Sequence, residues 1–126
     1  MPGLYEVYIK DYFAAAHLLK GYDGDCANIH GHNWIVEAYI QCTELDHLGI
    51  GIDFLDVKTA IKELLGKLDH TLLNDNPAFT HINPTSETIS RFLFTMLSQR
   101  LNTAHIRVSK VMVIESPGCG SSYQEV

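Results

Sequence analysis

Charge is scarce in this sequence, at 19% of residues, and no basic cluster is present. Nine Lys plus Arg stand against fifteen Asp plus Glu, for a net charge of −6. A surface for nucleic acid needs cations gathered to meet phosphates, so no nucleic-acid partner is expected. No apolar run approaches the roughly 20 residues of a membrane span, so no membrane partner is expected either. No basic-then-apolar segment opens the chain. Cysteine is sparse, with Cys26, Cys42 and Cys119 making an odd number. Without an export signal these read as reduced thiols, and the expected compartment is the cytoplasm. Internal repeats, low-complexity tracts and linkers are also missing. What remains is a chain of 126 residues, 46% of them apolar. That reads as one globular domain over residues 1–126, burying about two-thirds of its unfolded surface.

Histidine is comparatively abundant, with seven against nine Lys plus Arg. Three of the seven fall in strand patterns. Residues 4–17 alternate, with Tyr5, Val7, Ile9, Phe13 and Ala15 on one parity and Asp11 as the exception. Unbroken alternation puts His17 on the side of Phe13 and Ala15. Residues 19–28 form a loop marked by Gly21, Asp23, Gly24, Asp25 and Asn28, and it carries Cys26. Residues 30–42 alternate again, with His30, His32, Trp34, Val36, Ala38, Ile40 and Cys42 on the face expected to be buried. Two strands joined by a loop most simply pair antiparallel. The pairing brings His17 beside His30 and His32, with Cys26 near them.

After a turn over 44–52, Asp53 reads as an N-cap. Phe54, Val57, Ile61, Leu64, Leu65 and Leu68 then recur at helical spacing, predicting a helix over 54–67. Residues 72–84 read as a loop. Thr85 or Asn83 caps a second helix, with Ile89, Phe92, Leu93, Met96 and Leu97 inward. Residues 106–115 are a β-branched strand ending in Glu115. A turn at Pro117–Gly120 leads to a short last strand near 121–125. The expected fold is α+β, in the order β-β-α-α-β-β. Its sheet has two edges to hide, which predicts oligomerisation.

The chemistry divides into four candidates. His17, His30 and His32 supply three nitrogen ligands and leave a fourth zinc position open, as in catalytic sites; the competing reading is three ordinary histidines. Cys26 admits three readings: a fourth ligand, a thiolate base or nucleophile, or an inert loop thiol. Asp69 and His70 make a carboxylate-oriented imidazole, a proton shuttle for neutral pH, although neighbours in sequence seldom face each other. A His at a helix C-terminus is the plainer account of that pair. Glu115 closes an apolar strand, where a carboxylate grips a guanidine-like edge or stands in solvent.

Phe13-Ala14-Ala15-Ala16-His17, Cys26-x-x-x-His30-Gly31-His32, Ile52-Asp53-Phe54, Leu68-Asp69-His70, Leu73-Asn74-Asp75, Asn83-Pro84-Thr85-Ser86-Glu87 and Glu115 occur in that order. The set spans nearly the whole chain and resembles the 6-pyruvoyltetrahydropterin synthase family. The branch looks like the 6-carboxytetrahydropterin synthases of queuosine biosynthesis. The resemblance implies the tunnelling fold: a four-stranded antiparallel sheet with both helices between strands 2 and 3. Subunits would join sheets into a barrel and stack as a homohexamer, a dimer of trimers. It implies Zn2+ on His17, His30 and His32, and a catalytic set of Cys26, Asp69 and His70 that a subunit boundary completes. It also implies pterin contacts from Glu115, Thr85 and Ser86. The implied reaction is a zinc-dependent lyase step on 7,8-dihydroneopterin triphosphate. It yields 6-carboxy-5,6,7,8-tetrahydropterin, acetaldehyde and triphosphate. Triphosphate elimination without carbon–carbon cleavage is the pyruvoyl alternative, and a non-catalytic zinc- or pterin-binding protein is the alternative of another class. Triphosphate needs local cations such as Lys20 or Lys67, because the net charge of −6 disfavours an anion.

Overall fold

A computed structural model describes residues 3–126. Two long strands set the frame, β1 (Tyr5–His17) and β2 (His30–Cys42). Helix α1 (Phe54–Gly66) follows, then the two-residue β3 (Thr71–Leu72) and helix α2 (Ser86–Leu101). Strands β4 (Ile106–Ser116) and β5 (Cys119–Tyr123) complete a sheet of order β3-β1-β2-β4-β5.

The alternation in β1 and β2 does what a period of two requires. Ile9, Phe13, Trp34, Val36, Ala38 and Ile40 point to one side, with Val108, Val111 and Val113 of β4 beside them. There they meet Val57, Ile61, Leu64 and Leu65 of α1 and Ile89, Leu93 and Leu97 of α2. Each large side chain so buried contributes about 1.5–3 kcal/mol. Asp11 interrupts the apolar parity at a half-buried site, and Lys62 of α1 answers it with Nζ at 3.5 Å. Helix α1 starts where Asp53 accepts the Leu55 N–H, and α2 where Thr85, not Asn83, accepts that of Thr88.

Among the described residues, no helix covers the other sheet face. Tyr8, Tyr12 and Tyr39 project there; the Tyr8 and Tyr39 rings lie 5.2 Å apart, and Lys110 Nζ sits 4.5 Å from the Tyr39 ring. The Tyr8 hydroxyl donates to Glu37, and that bond holds its pKa up at about 12. Along the outer edge of β1, strand pairing among the described residues is confined to Ala15 and Ala16, which meet β3.

The sheet differs from expectation in two ways. It has five strands rather than four, and it is mixed, because β3 runs parallel to β1. A two-residue strand carries no alternation for a sequence to display. The last strand begins at Cys119, because Pro117 and Gly118 alone turn the chain, with Gly118 at φ +82°. Pro followed by a positive-φ glycine is the order of a type II turn.

Candidate metal centre

The register of β1 and β2 sets His17 opposite His30 and Ala15 opposite His32. His17, His30 and His32 therefore project on the helix-covered side at one end of the sheet. Their ring centroids lie 4.5 Å (His17–His30), 4.8 Å (His30–His32) and 5.2 Å (His17–His32) apart. The His17 side chain is 1% exposed.

Backbone carbonyls fix two of the rings. His17 Nδ1 lies 2.7 Å from the Pro84 carbonyl, and His30 Nδ1 lies 2.7 Å from that of Asn28. A carbonyl only accepts, so each Nδ1 carries the proton and donates it. That leaves Nε2 as a free lone pair in the neutral ring. Burial pushes the His17 pKa down, only partly offset by the Pro84 bond, and burial lowers His32 as well. Both effects favour the neutral, ligating form.

Glu115 joins the group from the end of β4. Its Oε1 is 2.9 Å from His32 Nε2 and 4.0 Å from His17 Nε2. The approach to His32 is off the line of a hydrogen bond, and the Nε2 atoms of His17 and His32 are buried with no hydrogen-bond partner among the described residues. A buried polar atom left so costs about 1–3 kcal/mol. One donor atom each from His17, His30, His32 and Glu115 all lie within 4.8 Å of one another. Three converging imidazoles, two with Nδ1 held by backbone carbonyls and two with a buried, unpartnered Nε2, plus a carboxylate, fit a divalent cation such as zinc. Trp34 backs the group, meeting His17 edge to face at 4.9 Å and His32 at 5.2 Å. Its own ring stacks on Phe13, and its Nε1–H donates to the Ala15 carbonyl at 3.2 Å.

Cys26 stands outside that four-donor group. It lies half-buried in a single 3-10 turn, Asp25–Ala27, and its carbonyl accepts the Leu19 N–H at 2.9 Å. Asp69 and His70 do face each other, with Oδ2 2.9 Å from Nδ1. The reason is backbone: His70 has φ +58°, the left-handed region that turns its ring back over its neighbour. Two bonds to Ala14 of β1 hold that conformation. The Ala14 N–H reaches Asp69 Oδ1 at 2.8 Å, and the His70 N–H reaches the Ala14 carbonyl at 2.6 Å. The Ala14 bond, then His70, keeps the Asp69 carboxyl below the usual aspartate range. The His70 side chain is 82% exposed. A depression of about 550 Å³ runs beside it, lined by Ala14, Ala16, Gly31, Asn33 and Thr71, with His32 among its walls.

Thr85 and Ser86 start α2. The Thr85 hydroxyl is committed to the cap, and Ser86 Oγ lies 2.6 Å from Ser121 Oγ of β5 and donates to Glu87 at 3.1 Å. Sequence reasoning missed Glu115 as a fourth donor, and missed Pro84, Asn28 and Trp34 as ring supports. For Glu115 a signal exists: it follows Ile114, which pairs with Ile35, so it sits within diagonal reach of His32.

Fold and site together define a class: an α+β domain whose sheet carries a His/Glu group fit for a cation at one end. Residues 6–126 match the family described as 6-pyruvoyl tetrahydropterin synthase, and the chain belongs to that family. It is 37% identical over 103 residues to a provisionally named 6-carboxy-5,6,7,8-tetrahydropterin synthase of Archaeoglobus fulgidus, covering 81% of this chain and 84% of that one. It is 36% identical over 76 residues to a 6-pyruvoyl tetrahydrobiopterin synthase of Dictyostelium discoideum, covering 59% of this chain and 56% of that one. The fold matches that of Caenorhabditis elegans 6-pyruvoyl tetrahydropterin synthase, with TM-score 0.84 and 24% identity over 98% of this chain and 97% of that one.

Proposed function

We propose that the protein is a zinc-dependent lyase that converts 7,8-dihydroneopterin triphosphate and one water to 6-carboxy-5,6,7,8-tetrahydropterin, acetaldehyde and triphosphate, as a step of queuosine biosynthesis. The observation that carries this reading is the gathering of the His17, His30 and His32 imidazoles within 4.8 Å, with Glu115, in a chain that also keeps Cys26, Asp69 and His70. Metal binding alone needs none of the last three. The Archaeoglobus relative's name favours the carboxy-forming branch.

His17, His30 and His32 would hold the ion through imidazole nitrogen. Zinc, when bound, supplies a Lewis acid that lowers the energy of negative charge on the substrate's side-chain oxygens. Cys26 acts at Sγ as the thiolate that removes or relays a proton. His70 moves the partner proton at Nε2, with Asp69 holding Nδ1 and the tautomer. Glu115 grips the guanidine-like edge of the pterin through both carboxylate oxygens, and Thr85 and Ser86 meet the ring's edge. A Glu115 committed to the pterin would leave His17, His30 and His32 as the residues that would hold the ion.

The protein works as a homo-oligomer in the cytoplasm, a hexamer of two stacked trimers with sheets joined edge to edge into a barrel. The outer edge of β1, without a strand partner from Tyr5 to Ala14 among the described residues, and the exposed His70 support that reading, since a second copy would cover both. Among the described residues no helix is long and apolar enough to cross a membrane.

The test is to mix purified protein, zinc and 7,8-dihydroneopterin triphosphate and assay acetaldehyde. Acetaldehyde with carboxytetrahydropterin bears the proposal out. Triphosphate release without acetaldehyde selects the pyruvoyl reading, which the Dictyostelium relative's name favours. Substrate bound and unchanged leaves a non-catalytic pterin-binding protein.

A further inference from the structure

Between His17 and the turn that carries Cys26, the chain passes through Leu18, Leu19 and Lys20 with no strand beside it. Its backbone groups are nevertheless taken up, in an alternating order. Asn74 Oδ1 accepts the Leu18 N–H at 3.0 Å, and Asn74 Nδ2 donates to the Leu18 carbonyl at 3.0 Å. Two residues on, Asn83 Oδ1 accepts the Lys20 N–H at 2.9 Å, and Asn83 Nδ2 donates to the Lys20 carbonyl at 3.0 Å. A carboxamide has the donor and acceptor of a peptide group, so each asparagine reproduces the double exchange of an antiparallel strand pair. Leu19 lies between the two clasps, and its N–H goes to the Cys26 carbonyl at 2.9 Å.

We infer that Asn74 and Asn83 are positioning residues for Cys26, acting through the three-residue segment they clasp. With Leu18 and Lys20 each held at both backbone groups, the Leu19 N–H has a fixed place, and the Cys26 turn hangs from it. Both asparagines are themselves anchored. Asn74 is 9% exposed within the Leu73–Asp75 turn, and Asn83 precedes Pro84, whose carbonyl sets the His17 ring. One run of hydrogen bonds thus joins the start of α2, the metal-facing imidazole and the thiol turn. The consequence for turnover rests on Cys26 being the catalytic thiol proposed above; the placement of the turn does not.

The experiment uses the full, zinc-loaded chain carrying Cys119→Ser, which removes the exposed thiol while Cys42 stays buried. Asn83→Ala, Asn83→Asp and Asn74→Ala are compared with that parent by segment-resolved amide exchange and by iodoacetamide alkylation of Cys26. Losing one clasp, two neutral hydrogen bonds, should speed exchange over residues 19–27 about tenfold. Cys26 alkylation should change by a similar factor, while β2 and β4 exchange as in the parent. Asn83→Asp keeps the acceptor and loses the donor, so it should fall between the parent and Asn83→Ala. In turnover, kcat should fall with KM held. Unchanged exchange over 19–27, or equal loosening of every strand, overturns the inference. If the buried Asn74→Ala does not fold, the half-buried Asn83 pair decides alone. An inactive parent sinks the lyase reading and leaves the exchange and alkylation results standing.

Discussion

The imidazole group and the Asp69–His70 pair both hang on the last four residues of β1, yet they are built in opposite ways. His17 is 1% exposed and held by a carbonyl from 67 residues away, with its partners on β2 and β4 around it. His70 is 82% exposed and, among the described residues, held by its sequence neighbour and by Ala14. The first group is enclosed by a single chain. The second is oriented by the chain but not enclosed by it. Enclosure and orientation are thus separate tasks, and among the described residues both are met at the imidazole group while the Asp69–His70 pair has orientation alone.

That contrast can be broken or sharpened by substitution. His17→Ala should bring the largest change: zinc in the purified protein, read by atomic absorption, falls to background, turnover goes with it, and the thermal midpoint drops because a buried imidazole is lost. Cys26→Ala should keep zinc and lose about 10²–10⁴-fold in kcat, the range of a missing proton-transfer group. Equal loss of zinc would make Cys26 a ligand instead. Asp69→Asn removes the acceptor that orients His70 and should cost about 10²-fold in kcat with zinc and thermal midpoint held. A fall in zinc content would show that the two groups are coupled after all. Glu115→Gln should raise KM about 10-fold to 100-fold, the worth of charge-assisted hydrogen bonds to the pterin, with zinc stoichiometric. Zinc loss without a KM change would assign the carboxylate to the metal. Trp34→Phe, which keeps an aromatic wall but drops the bond to Ala15, should weaken zinc about tenfold in a chelator competition.

Much of the enclosed group was legible in sequence. The alternation of residues 5–17 and 30–42 put His17, His30 and His32 on the apolar parity, and antiparallel pairing across one loop made them meet. Asp11 broke that parity because its partner, Lys62, arrives from a helix no strand pattern can foresee. The pair at Asp69 and His70 was much harder to read. Its facing geometry depends on one positive φ and on a two-residue parallel strand, and neither leaves a periodic trace. The asparagine clasps were invisible for a related reason. Leu73-Asn74-Asp75 and Asn83-Pro84 look like loop composition, and only three-dimensional closure puts their amides against Leu18 and Lys20.

The carbonyls of Pro84 and Asn28 that turn two of the histidine rings belong to the main chain. Every amino acid brings the same oxygen to those places, so replacing either side chain leaves the acceptor there. Ring orientation at this end is inherited from the course of the polypeptide rather than from the identity of the supporting residues. Insertions or deletions that reroute residues 28 or 84 are therefore the changes to which it is vulnerable, and point substitutions there are the ones it tolerates.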